Sequence, residues 1–190
     1  VGVLTGDELT IQDWFLSSRK IEWLRFADGE EFRIGDMTSF MIGSGESDVI
    51  LGSYAADFIY GGGGDDVIRA LAGDDFVNGG GGNDFAAGDG DNDWVLGGSG
   101  NDQVLGGSGH DTLFGDDGND FVYGGLGANS GSDLISGGRG DDTVVGGAGD
   151  DVFRYSRGDG RDVLMDDFVN NWDLVWQNGV YANGYVLQAD

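Results

Sequence analysis

GGGGDDVIRALAGDDFVNGGGGNDFAAGDGDNDWVLGGSGNDQVLGGSGHDTLF (61–114) divides into six nonads, each with aspartate in sixth place: Asp66, Asp75, Asp84, Asp93, Asp102 and Asp111. The phase extends to Asp48, Asp57 and Asp120 and, after a slip of four residues, resumes at Asp133, Asp142 and Asp151, giving twelve units over 43–154. The best copies, such as GGSGNDQVL (97–105) and GGRGDDTVV (137–145), fit G-G-x-G-x-D-x-U-x with U apolar. Position eight holds Ile50, Ile59, Ile68, Val77, Ala86, Val95, Val104, Leu113, Val122, Ile135, Val144 and Phe153. A disordered Gly/Asp tract has no need of that phase.

Each position has a physical role. Glycine enters positive φ without steric cost, so the leading glycines mark turns. Residues seven to nine then alternate outward, inward, outward as a short strand, with position eight facing a thin interior. Two nonads make an 18-residue coil, and coils stack about 4.8 Å apart. The expected fold is all-β: a parallel β-roll with odd units on one face, even units on the other, and short β-rich capping flanks. Turns 18 residues apart share an edge, so Asp66 meets Asp84 and Asp93 meets Asp111. Such carboxylates repel unless a cation separates them, and Ca²⁺, which takes six to eight oxygens, suits a gap that also offers turn carbonyls. Cysteine is absent and His110 is the only histidine, so zinc, copper and iron–sulfur sites lack ligands. His110, at position five, reads as turn filler. Asp89, Asp91 and Asp93 resemble an EF-hand start, but Trp94 and Gly100 stand where that loop needs Gly and Glu.

The nonads resemble the RTX calcium-binding repeats of secreted bacterial proteins. That resemblance implies that each ion is held by carbonyls from the first four positions and the aspartate of one loop, together with the loop one coil away. For the turns 61–66 and 79–84 the set is Gly62, Gly64 and Asp66 facing Gly79, Gly81 and Asp84, or the reverse allocation. The same pattern carries the role to Gly97, Gly98, Gly100, Gly106, Gly107, Gly109, Gly115, Gly118, Gly137, Gly138, Gly140, Gly146, Gly147 and Gly149. Units one (GSGESDVIL), two (GSYAADFIY) and four (ALAGDDFVN) depart from the consensus and are expected to bind weakly or not at all. Roughly six to ten ions are expected, denser toward units five to twelve.

Between 43 and 154 there are 21 acidic and three basic residues, so 3 − 21 gives −18 of the chain's −26. That density opposes compaction. One Val or Ile per nonad contributes about 2–3 kcal/mol against backbone ordering of about 1–2 kcal/mol per residue. Metal is therefore expected to be a condition of folding. Extracellular calcium modules bind at about 10⁻⁴–10⁻³ M, so the sites would be empty in a bacterial cytoplasm and filled outside. The polyanion is not expected to bind nucleic acid or anionic lipid, and no apolar run is long enough to span a membrane.

Residues 1–42 form an expected aromatic flank, with Leu9 to Phe15, Ile21 to Phe26 and Glu31 to Ile34 as short strands, a turn at Ala27-Asp28-Gly29, and Asp36 as a cap. LTIQDWFLSSRKIEWLRFADGEEF (9–32) resembles the haemolysin-related segment that accompanies RTX arrays, usually after one; its place here suggests the tail of a preceding module. The chain starts at Val1 without a signal-like segment and is expected to be a piece of something larger. The roll is set at 43–165, including a degenerate thirteenth unit, Arg157 to Met165, with Asp162 in sixth place. Residues 166–190 are a C-terminal cap, with strands at Asp173 to Trp176 and Tyr181 to Leu187. Ala128-Asn129-Ser130-Gly131 is expected to bulge from a turn. Phe58, Phe76 and Trp94 share position seven on one face, either covered by the aromatic flank or forming a docking stripe.

The expected function is a calcium-binding, non-catalytic module, secreted or at the bacterial surface, that folds on export and serves a larger parent polypeptide as spacer, scaffold or folding nucleus. The resemblance implies the type I secretion machinery as a partner. The alternatives are the non-catalytic C-terminal portion of a secreted enzyme and a calcium-dependent adhesion module. One loop histidine assembles no Ser/His/Asp set.

Overall fold

The computed structural model describes residues 23–25, 31–33, 39–125, 129–156, 158–165, 174–177 and 180–183. All regular elements among them are β-strands, in the order β1 (Trp23–Arg25), β2 (Glu31–Arg33), β3 (Ser39–Ile42), β4 (Val49–Leu51), β5 (Asp57–Gly63), β6 (Val67–Ala72), β7 (Phe76–Gly81), β8 (Phe85–Gly90), β9 (Trp94–Ser99), β10 (Gln103–Ser108), β11 (Thr112–Asp117), β12 (Phe121–Gly125), β13 (Leu134–Arg139), β14 (Thr143–Gly147), β15 (Val152–Tyr155), β16 (Val163–Met165), β17 (Leu174–Gln177) and β18 (Val180–Asn183). The even-numbered strands from β4 to β16 form one sheet, and the odd-numbered strands from β3 to β17, with β18 at the end, form the other. Consecutive strands therefore alternate between sheets, as an 18-residue coil requires.

Pairing within both stacks is parallel and in the register of the repeat: Val77 opposes Val95, and Val104 opposes both Ala86 and Val122. The position-seven N–H reaches the carbonyl of the aspartate one coil earlier, as from Phe85 to Asp66 (2.9 Å) and Gln103 to Asp84 (2.8 Å). Position eight fills the interior. Ile59, Ile68, Val77, Ala86, Val95, Val104, Leu113, Val122, Ile135, Val144 and Phe153 are buried in one cluster, with Met41, Ile50 and Leu164 packed at its ends. Because the core is one side chain thick on each face, a hole has no second layer to relax into it. Leu113→Ala is expected to cost about 2–5 kcal/mol, read as a lowered melting temperature at saturating calcium.

Several elements lie differently from the sequence expectation. The parallel ladder begins at β3, where Phe40 opposes Phe58 and Met41 opposes Ile59, so the roll takes in residues upstream of 43. Its sixth position is Ser39, whose hydroxyl donates to Asp57 Oδ1. At the other end β17 extends the stack in parallel and β18 turns back antiparallel along it. The flank strands pair as the antiparallel hairpin β1–β2. Leu9 to Phe15, Ala27-Asp28-Gly29 and Asp36 fall outside the described residues.

The inserted residues also sit earlier than expected. Gly125 pairs with Gly147 as an ordinary position two, Ser130 is buried with its hydroxyl on Ala148 O (2.5 Å), and Gly131 has the positive φ of position four. By register the four extra residues are therefore 126–129 rather than 128–131. Of the two readings of the aromatic row, burial favours the covered one. Phe58 and Phe76 are 0% and 1% exposed, stacked 4.9 Å apart at 4°, and the row extends through Phe40, Trp94 and Phe114. Side chains so buried present no stripe to a partner, while Trp94 is half-buried. The outer side of the other sheet is the exposed one, with Val49 at 84% and Leu51 at 62%.

Candidate metal centre

Each turn delivers its aspartate to the edge of the roll in a fixed way. Oδ1 accepts the backbone N–H of the aspartate one coil earlier: Asp66 N–H to Asp84 Oδ1 (2.8 Å), Asp84 to Asp102 (2.8 Å) and Asp102 to Asp120 (2.8 Å) on one edge, and Asp75 to Asp93 (2.9 Å), Asp93 to Asp111 (2.9 Å) and Asp111 to Asp133 (2.8 Å) on the other. Asp120, Asp133 and Asp142 bond in the same way to Asp142, Asp151 and Asp162. One oxygen of each carboxylate thus aligns two coils, and the second is left facing the turns.

That second oxygen has no donor. Oδ2 of Asp66, Asp75, Asp84, Asp93, Asp102, Asp111, Asp120, Asp133 and Asp142 is buried without a hydrogen-bond partner. An anionic oxygen in that condition costs far more than a satisfied one. Asp48 and Asp57 differ, because their Oδ2 atoms accept the N–H groups of Ser44 and Ser53 (both 2.6 Å). At the N-terminal end the aspartate caps its own turn.

The glycines define the space before the orphaned oxygens. A Cβ built on Gly79 would lie 2.5 Å from both Asp84 Oδ2 and Gly97 O; one on Gly97 would lie 2.6 Å from Asp102 Oδ2 and 2.7 Å from Gly115 O. The carboxylate of one coil and the position-one carbonyl of the next therefore converge beside a hydrogen. Gly106, Gly115, Gly137 and Gly146 sit likewise against Oδ2 of Asp111, Asp120, Asp142 and Asp151. Positions two and four, including Gly62, Gly64, Gly98, Gly100, Gly107, Gly109, Gly118, Gly138, Gly140, Gly147 and Gly149, have positive φ, whereas Gly81 at position three does not need it. Asp89, Asp91, Asp116 and Leu71 hold the same left-handed geometry without being glycine. Among the described residues no three His, Asp or Glu side chains form a metal-sized group. A seat here combines carboxylate and main-chain oxygens, a hard donor set that fits calcium.

Burial raises these carboxyls. Asp84, Asp111 and Asp142 are pushed up to about 6, Asp75 and Asp120 to about 7, Asp133 to about 8 and Asp93 to about 9; desolvation is the chief cause, offset by the N–H each accepts. Asp66, Asp102 and Asp162 are raised for the same reason. The calcium-free fold thus binds protons that the unfolded chain releases. Its stability is greatest below the unfolded carboxylate range and is lost as pH rises through these values. Calcium needs the ionised form, so acidification opposes it. Lowering the pH from about 8 to about 5 is expected to raise the calcium midpoint roughly tenfold or more, measured by circular dichroism at fixed ionic strength.

Position five is a set of residues that sequence reasoning missed. Its side-chain oxygen accepts the N–H of the next position five on the same edge: Asn83 to Asp65 (2.7 Å), Asn101 to Asn83 (2.9 Å), Asn119 to Asn101 (2.9 Å) and Asp141 to Asn119 (2.7 Å). On the opposite edge His110 N–H donates to Asn92 Oδ1 (2.9 Å), and His110 Nδ1 accepts from Ser132 N–H (2.8 Å). His110 is a link in that ladder. The available signal was that positions five from Asp65 to Asp150 all carry an acceptor.

Parallel stacks of 18-residue coils with a row of buried carboxylates along each edge define a calcium-binding β-roll. The RTX calcium-binding nonapeptide repeat matches residues 42–77, 62–95, 71–104, 96–130 and 128–164, most of the chain, and the chain belongs to that family. Residues 4–34 match the haemolysin-type calcium binding protein related domain. A search of the curated proteins gives no match.

Proposed function

We propose that the roll is a calcium-triggered folding module of a larger secreted or surface protein, with a structural rather than catalytic part to play. The carrying observation is the row of buried, donorless Asp Oδ2 atoms. In this reading they hold the ions together with position-one carbonyls such as Gly97 O, and main-chain oxygens of the glycine turns complete each shell. Every ion then joins two coils, so loading and folding are one cooperative process. Roughly six to ten ions are expected, the N-terminal turns contributing least because Ser44 and Ser53 already serve Asp48 and Asp57.

The family's members are typically type I-secreted bacterial proteins, and the chemistry suits that route. At cytoplasmic free calcium the self-repelling chain stays extended for export; outside, it folds. The test is a free-calcium titration of this chain followed by far-UV circular dichroism. A steep coil-to-sheet transition at about 10⁻⁴–10⁻³ M supports the proposal, and full sheet content at sub-micromolar calcium would sink it.

A further inference from the structure

One junction in the roll is built unlike the others. At position one, glycine leaves a hydrogen between the carboxylate of its own unit and the carbonyl of the next coil, as Gly79 does between Asp84 Oδ2 and Gly97 O. In the unit 70–78 that position is Ala70. It lies in β6, two residues after the inward Ile68, and is fully buried as part of the apolar core. By the register of the repeat its methyl projects at Asp75 Oδ2, which is buried and has no hydrogen-bond donor. Where Gly79 and Gly97 leave only a hydrogen against the two oxygens, this unit carries a methyl.

The same two coils carry a cation of their own. Arg69 Nη2 lies 2.7 Å from Asp89 Oδ1, and its Nε donates to Asp89 Oδ2 at 3.0 Å. Arg69 precedes Ala70, and Asp89 follows Gly88, the position-one residue of the next coil on that edge; β6 and β7 lead away from one side of the joint, β8 and β9 from the other. The two-point geometry ties one coil to its neighbour through a guanidinium. Asp89 stands at position two with φ of +75°, as Leu71 does one coil earlier with +87°.

We propose that the junction between the turns 70–75 and 88–93 is a calcium-free joint, closed to the ion by the Ala70 methyl and bridged by the Arg69–Asp89 ion pair. This rests on the reading of the other turns as calcium seats. The alternating edges are then unequal: the edge carrying Asp66, Asp84, Asp102 and Asp120 can load continuously, whereas the edge carrying Asp75, Asp93 and Asp111 loads only beyond the joint.

Native mass spectrometry at saturating calcium counts ions on the intact folded chain. Ala70→Gly is expected to bind one ion more than the parent chain, and Gly97→Ala, which places a methyl at the equivalent point of a loaded turn, one fewer. Gly79→Ala replaces Gly97→Ala should that variant not fold. An unchanged count in Ala70→Gly overturns the proposal, as does a retained ion in the glycine-to-alanine variant. A parent chain that binds no calcium would instead overturn the calcium-seat reading itself.

Discussion

Chelating calcium from the loaded protein is expected to dissolve the roll. Nine orphaned Asp Oδ2 atoms would then face one another along two edges with no counter-charge. At neutral pH protonation relieves only the most strongly raised of them, such as Asp93 and Asp133, and the core supplies little to resist, since each nonad contributes a single inward side chain. Sheet signal should vanish, and the radius of gyration by small-angle X-ray scattering should rise toward about 47 Å, against about 16 Å for a compact chain of this length. Magnesium should fail to restore the fold, because it demands near-ideal octahedral geometry at about 2.0–2.1 Å and keeps its waters. Retained sheet content in excess chelator at neutral pH would show that the apolar core and the two hydrogen-bond ladders suffice without metal.

Gly100→Ala is expected to be strongly damaging. Gly100 holds φ of +131°, and its α-carbon lies against the Gly82 carbonyl, as Gly118 lies against Gly100 and Gly140 against Gly118. The same residue donates its N–H to Asp117 O (2.8 Å), so it cannot swing away without breaking the stack. Left-handed strain costs about 1–3 kcal/mol and overpacking about 1–3 kcal/mol more. The calcium midpoint should rise by at least tenfold, the equivalent of about 1.4 kcal/mol. Gly45→Ala is the control: a Cβ there meets nothing within 4 Å, and the change should stay within about 0.5 kcal/mol. Equal behaviour of the two variants would mean that coil spacing, not glycine at position four, tolerates the methyl.

The repeat made positions six and eight readable in advance, because both are single-residue signals in a fixed phase. The coil containing Ser39 and Met41 was hidden, since serine replaces the aspartate and the leading Gly pair is missing from 34–42. The insertion was misplaced for a related reason: Gly131 and the Gly124-Gly125 pair both fit a unit, and only the pairing of Gly125 with Gly147 assigns them. Position five escaped because the bond needs an acceptor and not a particular residue; Asp65, Asn83, His110 and Ser132 serve equally. The burial of Phe58 and Phe76 depends on what lies over the sheet, which strand alternation does not encode.

The inter-coil bonds all point along the axis of the roll. Neighbouring strands are about 4.8 Å apart, so the eight parallel strands from β3 to β17 span about 34 Å. Tension applied at the two ends therefore falls on the coils in series, one junction at a time, like peeling a zip and unlike shearing a sandwich. Each regular coil released yields 18 residues of slack, and 22 where the coil is extended, at the force of its own few hydrogen bonds. In a filament or tether, such a segment would act as an extensible shock absorber whose stiffness follows calcium loading.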